Sequence, residues 1–217
     1  MPEENNNKFP SYKDHLNKTF LEEINFNLWV TKGARFNASK RLITKNDWSN
    51  KAMGFLSAYL IIISLFSVYQ ISQVPILNPS LVAFGSTGIS ILLLAYGQME
   101  FAQDYKMRAY SYHECALKLS SLYNQSRAFK TLKITTDQEK REFALDLEKE
   151  YQEILSHYAN HDSIDYNMFR ASKAKYFELN LLQTVLFRID YYWKTCLLYH
   201  LLIVAPLLLI LWSICIH

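Results

Sequence analysis

The sequence predicts an all-α membrane protein, and three features carry that prediction. Charge is segregated: no Asp, Glu, Lys or Arg occurs from Ala52 to Met99 or from Thr195 to His217, so Met1–Lys51 and Glu100–Lys194 hold all of it. A single water-soluble core would mix these classes along amphipathic elements, so the overall 50% hydrophobic and 20% charged content averages over two different solvents. Turn formers are scarce, with five Gly and five Pro in 217 residues, too few for a loop-rich or all-β protein. Apolar residues of the charged segments recur at three- and four-residue spacing, the period of one helix face.

The elements follow in chain order. Phe20, Ile24 and Leu28 mark an amphipathic helix in a cytosolic N-terminal region, 1–51. Ala52–Ile71 is long enough to cross ~30 Å of hydrocarbon at ~1.5 Å per residue. Val74-Pro75 and Asn78-Pro79 then make a short uncharged turn, because Pro cannot continue a helix and restrains the residue before it. Leu81–Gln98 is the second span, giving a two-helix transmembrane hairpin over 52–98. Long cytosolic helices fill 99–194, and Thr195–Ile216 supplies a third, C-terminal transmembrane helix within 195–217. Pro206 inside it is a kink site of the kind membrane helices tolerate.

Lys32, Arg35, Lys40, Arg41, Lys45 and Lys51 precede the first span, Lys106 and Arg108 follow the second, and Arg188 and Lys194 lead into the third. The hairpin turn carries no charge. Basic residues concentrate on the cytoplasmic side, which places the N-terminus and 100–194 in the cytoplasm and the turn and C-terminus outside.

Within the cytosolic stretch, Glu100–Lys130 reads as a helix continuing straight from the second span. Tyr105, Tyr112, Cys115, Leu119, Leu122 and Phe129 form a seam along it suited to a partner helix, a candidate oligomer contact. Thr136-x-x-Glu139 is a capping box that starts a second helix, with Phe143, Leu147, Tyr151, Ile154 and Tyr158 on one stripe. Asp162–Lys194 gives a third helix running directly into the last span.

Nothing in the sequence supports an enzyme, a metal or a cofactor. There is no Gly-rich phosphate loop, nucleophile elbow or HExxH pattern. His157 and His161 stand one helical turn apart beside Asp162, but two ligands without a third read as a solvated helix end. Cys115, Cys196 and Cys215 form no spaced pair, so neither a disulfide framework nor a zinc site follows. A net charge of +3 is too weak to imply nucleic-acid binding. The polar, Asn-rich start lacks the early apolar run of a secretory signal.

The chemistry of interest is the small-polar content of the hairpin. Ser57, Ser64 and Ser67 share a face of the first span, and the second carries Gly85, Ser86, Thr87, Gly88 and Ser90. Small residues permit close helix packing, and hydroxyls line hydrated paths, so both readings stand. A two-helix hairpin encloses no lumen; a pore therefore requires several copies in the bilayer. No ionisable side chain lies inside the first two spans, which disfavours an ion-coupled transporter.

Arg35–Leu42 (RFNASKRL) before the hairpin, the uncharged hairpin, and Ala109–Tyr123 (AYSYHECALKLSSLY) after it form one ordered set. Together, over roughly 15–160, they resemble the SLATT domains, two-transmembrane effectors associated with bacterial SLOG and nucleotide-signalling systems. The longer chain with a third apolar span is similar to the subgroup found beside reverse transcriptases in anti-phage loci. The resemblance implies an anti-phage defence effector in the bacterial inner membrane, multi-pass and homo-oligomeric, switched on by a sensor protein or nucleotide signal and acting by membrane disruption and abortive infection. It transfers no site residue. The rival expectation is a membrane anchor or scaffold that recruits a partner such as a reverse transcriptase.

Overall fold

The uninterrupted runs of helix formers in the sequence become helices. The protein, seen in a computed structural model, is described over residues 12–13, 15, 18–69, 79–132 and 136–216, with side chains over the same residues except 66–69, 79, 81–82 and 209–216. Every described regular element is helical: α1 (Phe20–Tyr69), α2 (Pro79–Phe101), α3 (Tyr105–Leu132), α4 (Asp137–Ser156), α5 (Ser163–Ser172), α6 (Leu181–Tyr192) and α7 (Leu198–Ile216), with one π-helical turn, Trp193–Leu197, between the last two.

Three sequence expectations change here. The N-terminal amphipathic helix and the first span are one 50-residue helix, because nothing between Phe20 and Tyr69 breaks it. Its buried face is Leu21, Ile24 and Leu28, while Phe20 is 49% exposed. The helix expected to continue from the second span instead stops at Phe101. Asp104 adopts a left-handed conformation (φ 47°), which Asp tolerates better than most residues, and α3 restarts at Tyr105. The expected helix over 162–194 is likewise divided into α5 and α6, with Glu178 left-handed (φ 53°) between them. The capping box stands as read: Thr136 is the N-cap of α4, Glu139 N donates to its Oγ1 at 3.3 Å, and Thr136 N donates to Glu139 Oε2 at 2.8 Å.

The chain divides into two compact units, one of residues up to Arg41 with Met107–Tyr191, the other of Leu42–Lys106 with Tyr192 onward. In the first, Leu21, Ile24 and Leu28 of α1 pack with Cys115, Leu119 and Leu122 of α3 and Ala144, Leu147 and Tyr151 of α4. Phe129 stacks on Phe143 with ring centroids 3.9 Å apart. Each fully buried Leu here contributes about 1.5–3 kcal/mol relative to exposure. Burial pushes both the Cys115 thiol and the Tyr151 phenol up, and Tyr151 shares a 2.9 Å hydrogen bond with Thr31.

An aromatic cluster docks α5 and the segment after it on α1: Trp29 lies 4.9 Å from the rings of both Phe169 and Tyr176, and Phe177 packs beside them. Gly33 makes this approach possible, because a Cβ there would overlap the Phe169 ring. Gly33→Ala should therefore lower stability by about 1–3 kcal/mol through overpacking, outweighing the ~1 kcal/mol that Ala gains in helix propensity. Thermal unfolding in detergent, followed by circular dichroism, checks it; a higher melting temperature would show that the ring yields.

In the second unit, the close approach of α1 and α2 is local: a Cβ on Gly97 would meet Met53 Cε at 2.7 Å. Among the described residues, one helix is long and apolar enough to cross a membrane, Leu181–Leu208, and it begins well before the span expected at Thr195–Ile216. It runs on through Pro206. Residues 70–71 of the first expected span and 72–78 of the turn lie outside the described residues.

Candidate functional site

Among the described residues each unit holds a polar cluster that is wholly or partly buried. In the first unit it is built from the Arg35–Leu42 stretch of α1. Arg35 is fully buried. Its Nη1 donates to the Ala159 carbonyl and its Nη2 to Asn160 Oδ1 (3.4 Å), and its guanidinium lies 5.6 Å from the Tyr112 ring centroid. Tyr112 Oη donates to the Asn160 carbonyl at 2.8 Å. The segment leaving α4 is thus bound by side chains from α1 and α3.

Two turns along α1, Arg41 clasps the start of α5. Its Nε and Nη2 donate to the two Asp165 oxygens at 2.7 and 2.9 Å, and Nη2 also reaches Asp162 Oδ2 at 2.5 Å. Asn37 Nδ2 donates to the Asp165 carbonyl at 3.2 Å. Burial works against the Arg41 charge, but the hydrogen bonds and charges of Asp165 and Asp162 outweigh it and hold the guanidinium above its ordinary range. Asp165 itself is fully buried. The basic stretch that carried the family resemblance is therefore a structural clamp on the α4–α5 connection.

Beside it, burial and, secondarily, Arg35 hold the His161 imidazole below its usual 6.5. A group with a depressed imidazole pKa stays neutral in the fold while the unfolded chain takes up the proton first. Its stabilising effect is complete above about pH 6.5 and is lost as pH falls below that. His161→Gln should flatten the decline of melting temperature between about pH 7 and 5; an unchanged slope would show that other groups set it. His157, its expected companion, is exposed, with Nδ1 2.7 Å from the Glu153 carbonyl. No group of three potential ligands is placed to hold a metal among the described residues.

In the second unit the hub is Glu100, the last residue but one of α2. Its Oε2 accepts from Ser49 Oγ of α1 at 2.7 Å and from Tyr199 Oη of α7 at 2.8 Å, so one carboxylate ties three helices. Charge-assisted bonds of this kind are about twice as strong as neutral ones. The π-helical turn adds one residue to the helical register just before Tyr199, and Thr195, Cys196 and Tyr199 are all buried. Trp48 meets the His200 ring edge-on at 4.0 Å, and His200 Nδ1 bonds to Tyr192 Oη at 2.6 Å. This cluster was not legible beforehand: in the sequence Glu100 is simply the first charged residue after the second span.

The small-polar residues lie elsewhere. Ser57, Ser64, Thr87 and Ser90 are exposed, and Gly85, Ser86 and Gly88 are half-exposed. Ser57 donates to the Met53 carbonyl, Ser86 and Thr87 to Ala83, and Ser90 to Ser86, each on its own helix. A Cβ on Gly85 or Gly88 would meet nothing within 4 Å. These residues are therefore not what packs α1 against α2 within the chain. The Ser67 side chain lies outside the described residues.

The expected oligomer seam is occupied by the chain itself. Tyr105, Tyr112, Cys115, Leu119 and Leu122 are buried and Phe129 is partly buried, and Cys115, Leu119, Leu122 and Phe129 lie in the α1–α3–α4 core. Within the chain this face packs against α1 and α4. The first unit also contains an open cavity of about 380 Å³ lined by Lys18, Asn25, Phe26, Trp29, Tyr123 and Tyr176 among others.

Residues 17–212 match the model of a protein family described as SMODS and SLOG-associating 2TM effector domain family 5. No curated protein and no solved structure matches.

Proposed function

The chain belongs to the SMODS and SLOG-associating 2TM effector domain family 5, and from that premise we propose that it is an anti-phage effector of the bacterial inner membrane that assembles from several copies and opens a path through the bilayer. The latter part of α1 and α2 form the hairpin of the pore, and α7 adds a third crossing. The N-terminus and the helices between α2 and α7 lie in the cytoplasm, where a sensor protein or nucleotide signal reaches them.

One observation carries the reading: Ser57, Ser64, Thr87 and Ser90 are exposed on the single chain, and a Cβ at Gly85 or Gly88 would meet nothing within 4 Å. Packing within the protomer does not account for them, so they are available to a neighbouring copy or to water. Glu100, bonded to Ser49 and Tyr199, ties α1, α2 and α7 together at one level.

The test is expression in bacteria with the neighbouring genes while a voltage-sensitive dye reports membrane potential. The wild-type chain should depolarise the membrane when triggered. Ser57→Leu, Ser64→Leu and Thr87→Leu combined should insert normally and abolish depolarisation, since leucines would narrow and dry the wall. Full depolarisation by the triple variant would sink the assignment of that wall.

A further inference from the structure

The open cavity of the first unit takes no part in the Arg35–Arg41 clamp or in the hairpin. We propose that it binds a small planar aromatic anion, a ring that carries a phosphate or a carboxylate. The site is built from the first unit alone and does not depend on a pore.

Its volume, about 380 Å³, is that of a small-molecule site. Three rings form one wall: Trp29 lies 6.0 Å from Phe26 and 4.9 Å from Tyr176, and Phe26 and Tyr176 are 6.3 Å apart. Tyr123 of α3 adds a fourth ring to the lining. Phe26 already stacks on the His15 ring, with centroids 3.6 Å apart and 14° between the planes. A wall of this kind accepts flat rings in general, because each offers a π face.

The polar side is rich in donors. Asn25 Oδ1 accepts from Ser126 Oγ at 3.2 Å, which leaves the two Nδ2 protons unspent. The Trp29 indole N–H meets no acceptor among the described residues. Glu22, which also lines the cavity, spends its carboxylate on Lys130 at 2.6 Å.

Cations gather at Tyr123. Lys32 Nζ lies 3.6 Å from its ring centroid, and Arg127 Nη1 donates to its Oη at 3.5 Å. Neither cation has a carboxylate partner among the described residues. Burial, and then the charge of Arg127, hold the Lys32 ammonium below its ordinary range, as expected of two like charges set close together. Lys18 places a further cation on the lining. The ligand that answers all of these features is a ring with a negative charge. A neutral ring leaves the cations unanswered, and a bare anion leaves the aromatic wall in water.

The experiment titrates the full chain in lipid nanodiscs by isothermal calorimetry with adenosine monophosphate, indole-3-acetate, adenosine and inorganic phosphate. At least one of the two aromatic anions should bind about tenfold or more tighter than adenosine or phosphate, and which of them does so tells a phosphate ligand from a carboxylate one. Asn25→Asp keeps the side-chain shape and the Ser126 bond but sets a carboxylate in the wall. Lys32→Gln with Arg127→Gln removes both cations at Tyr123. Each variant should weaken the aromatic anion by about tenfold or more and leave adenosine unchanged, with thermal unfolding followed as the control for folding. Affinity for the aromatic anion that survives both variants, or that phosphate alone matches, would overturn the site. So would failure of both aromatic anions to bind at concentrations up to about 1 mM.

Discussion

Replacing Asp165 by Ala should cost the chain about 3–5 kcal/mol, the usual penalty for stranding one member of a buried ion pair. Asp165 is fully buried and accepts both hydrogen bonds of the Arg41 fork, at 2.7 and 2.9 Å. Asp162 cannot replace it, since that side chain is 62% exposed and meets Arg41 through one nitrogen only. The double variant Arg41→Met, Asp165→Leu should recover most of the loss, because apolar residues of similar volume commonly match a buried pair in stability. Arg41→Lys should not, for an ammonium cannot reproduce two parallel bonds. Chemical denaturation of the detergent-solubilised chain measures all three. Equal losses in the single and double variants would show that the clamp acts by shape alone.

Leu119→Asp should prevent the first unit from folding. Leu119 is fully buried in the α1–α3–α4 core. Truncation of such a residue costs about 2–5 kcal/mol, and an unpaired buried carboxylate adds several more, against a total stability of about 5–15 kcal/mol. Leu117→Asp, two positions away and 52% exposed, should change stability by only about 0.5 kcal/mol. Protease resistance of residues 107–191 in membranes distinguishes the pair. Were Leu119→Asp to fold and lose only self-association, the seam would be an intermolecular contact after all.

The contrast between these two leucines shows what could be read in advance. Three-four periodicity picked out Leu119 and its neighbours as a buried face, because a helix's apolar stripe is a local property of the sequence. What covers that face is not local: α1 and α4 reach it from more than twenty residues away in either direction. The Thr136–Glu139 capping box was legible for the same reason the seam was, since its partners are three residues apart. Asp104 and Glu178 gave no warning of the breaks they make, as neither Asp nor Glu is a helix breaker of the Gly or Pro kind. Arg35 and Arg41 counted toward orientation as basic residues, yet the fold buries both against the α4–α5 connection. Glu100 escaped notice because a carboxylate directly after an apolar run reads as the point of exit into water, whereas Ser49 and Tyr199 enclose it.

The central claim, that copies of this chain open a path through a bilayer, is tested most directly by recording current across a planar lipid membrane into which the purified full chain has been reconstituted. Stepwise conductance increments that grow with protein density, and that vanish in the Ser57→Leu, Ser64→Leu, Thr87→Leu chain, are the expected result. A membrane that stays electrically silent at every density, with the chain demonstrably inserted and oligomeric, would contradict the claim and leave the chain as an anchor for whatever its cytoplasmic helices bind.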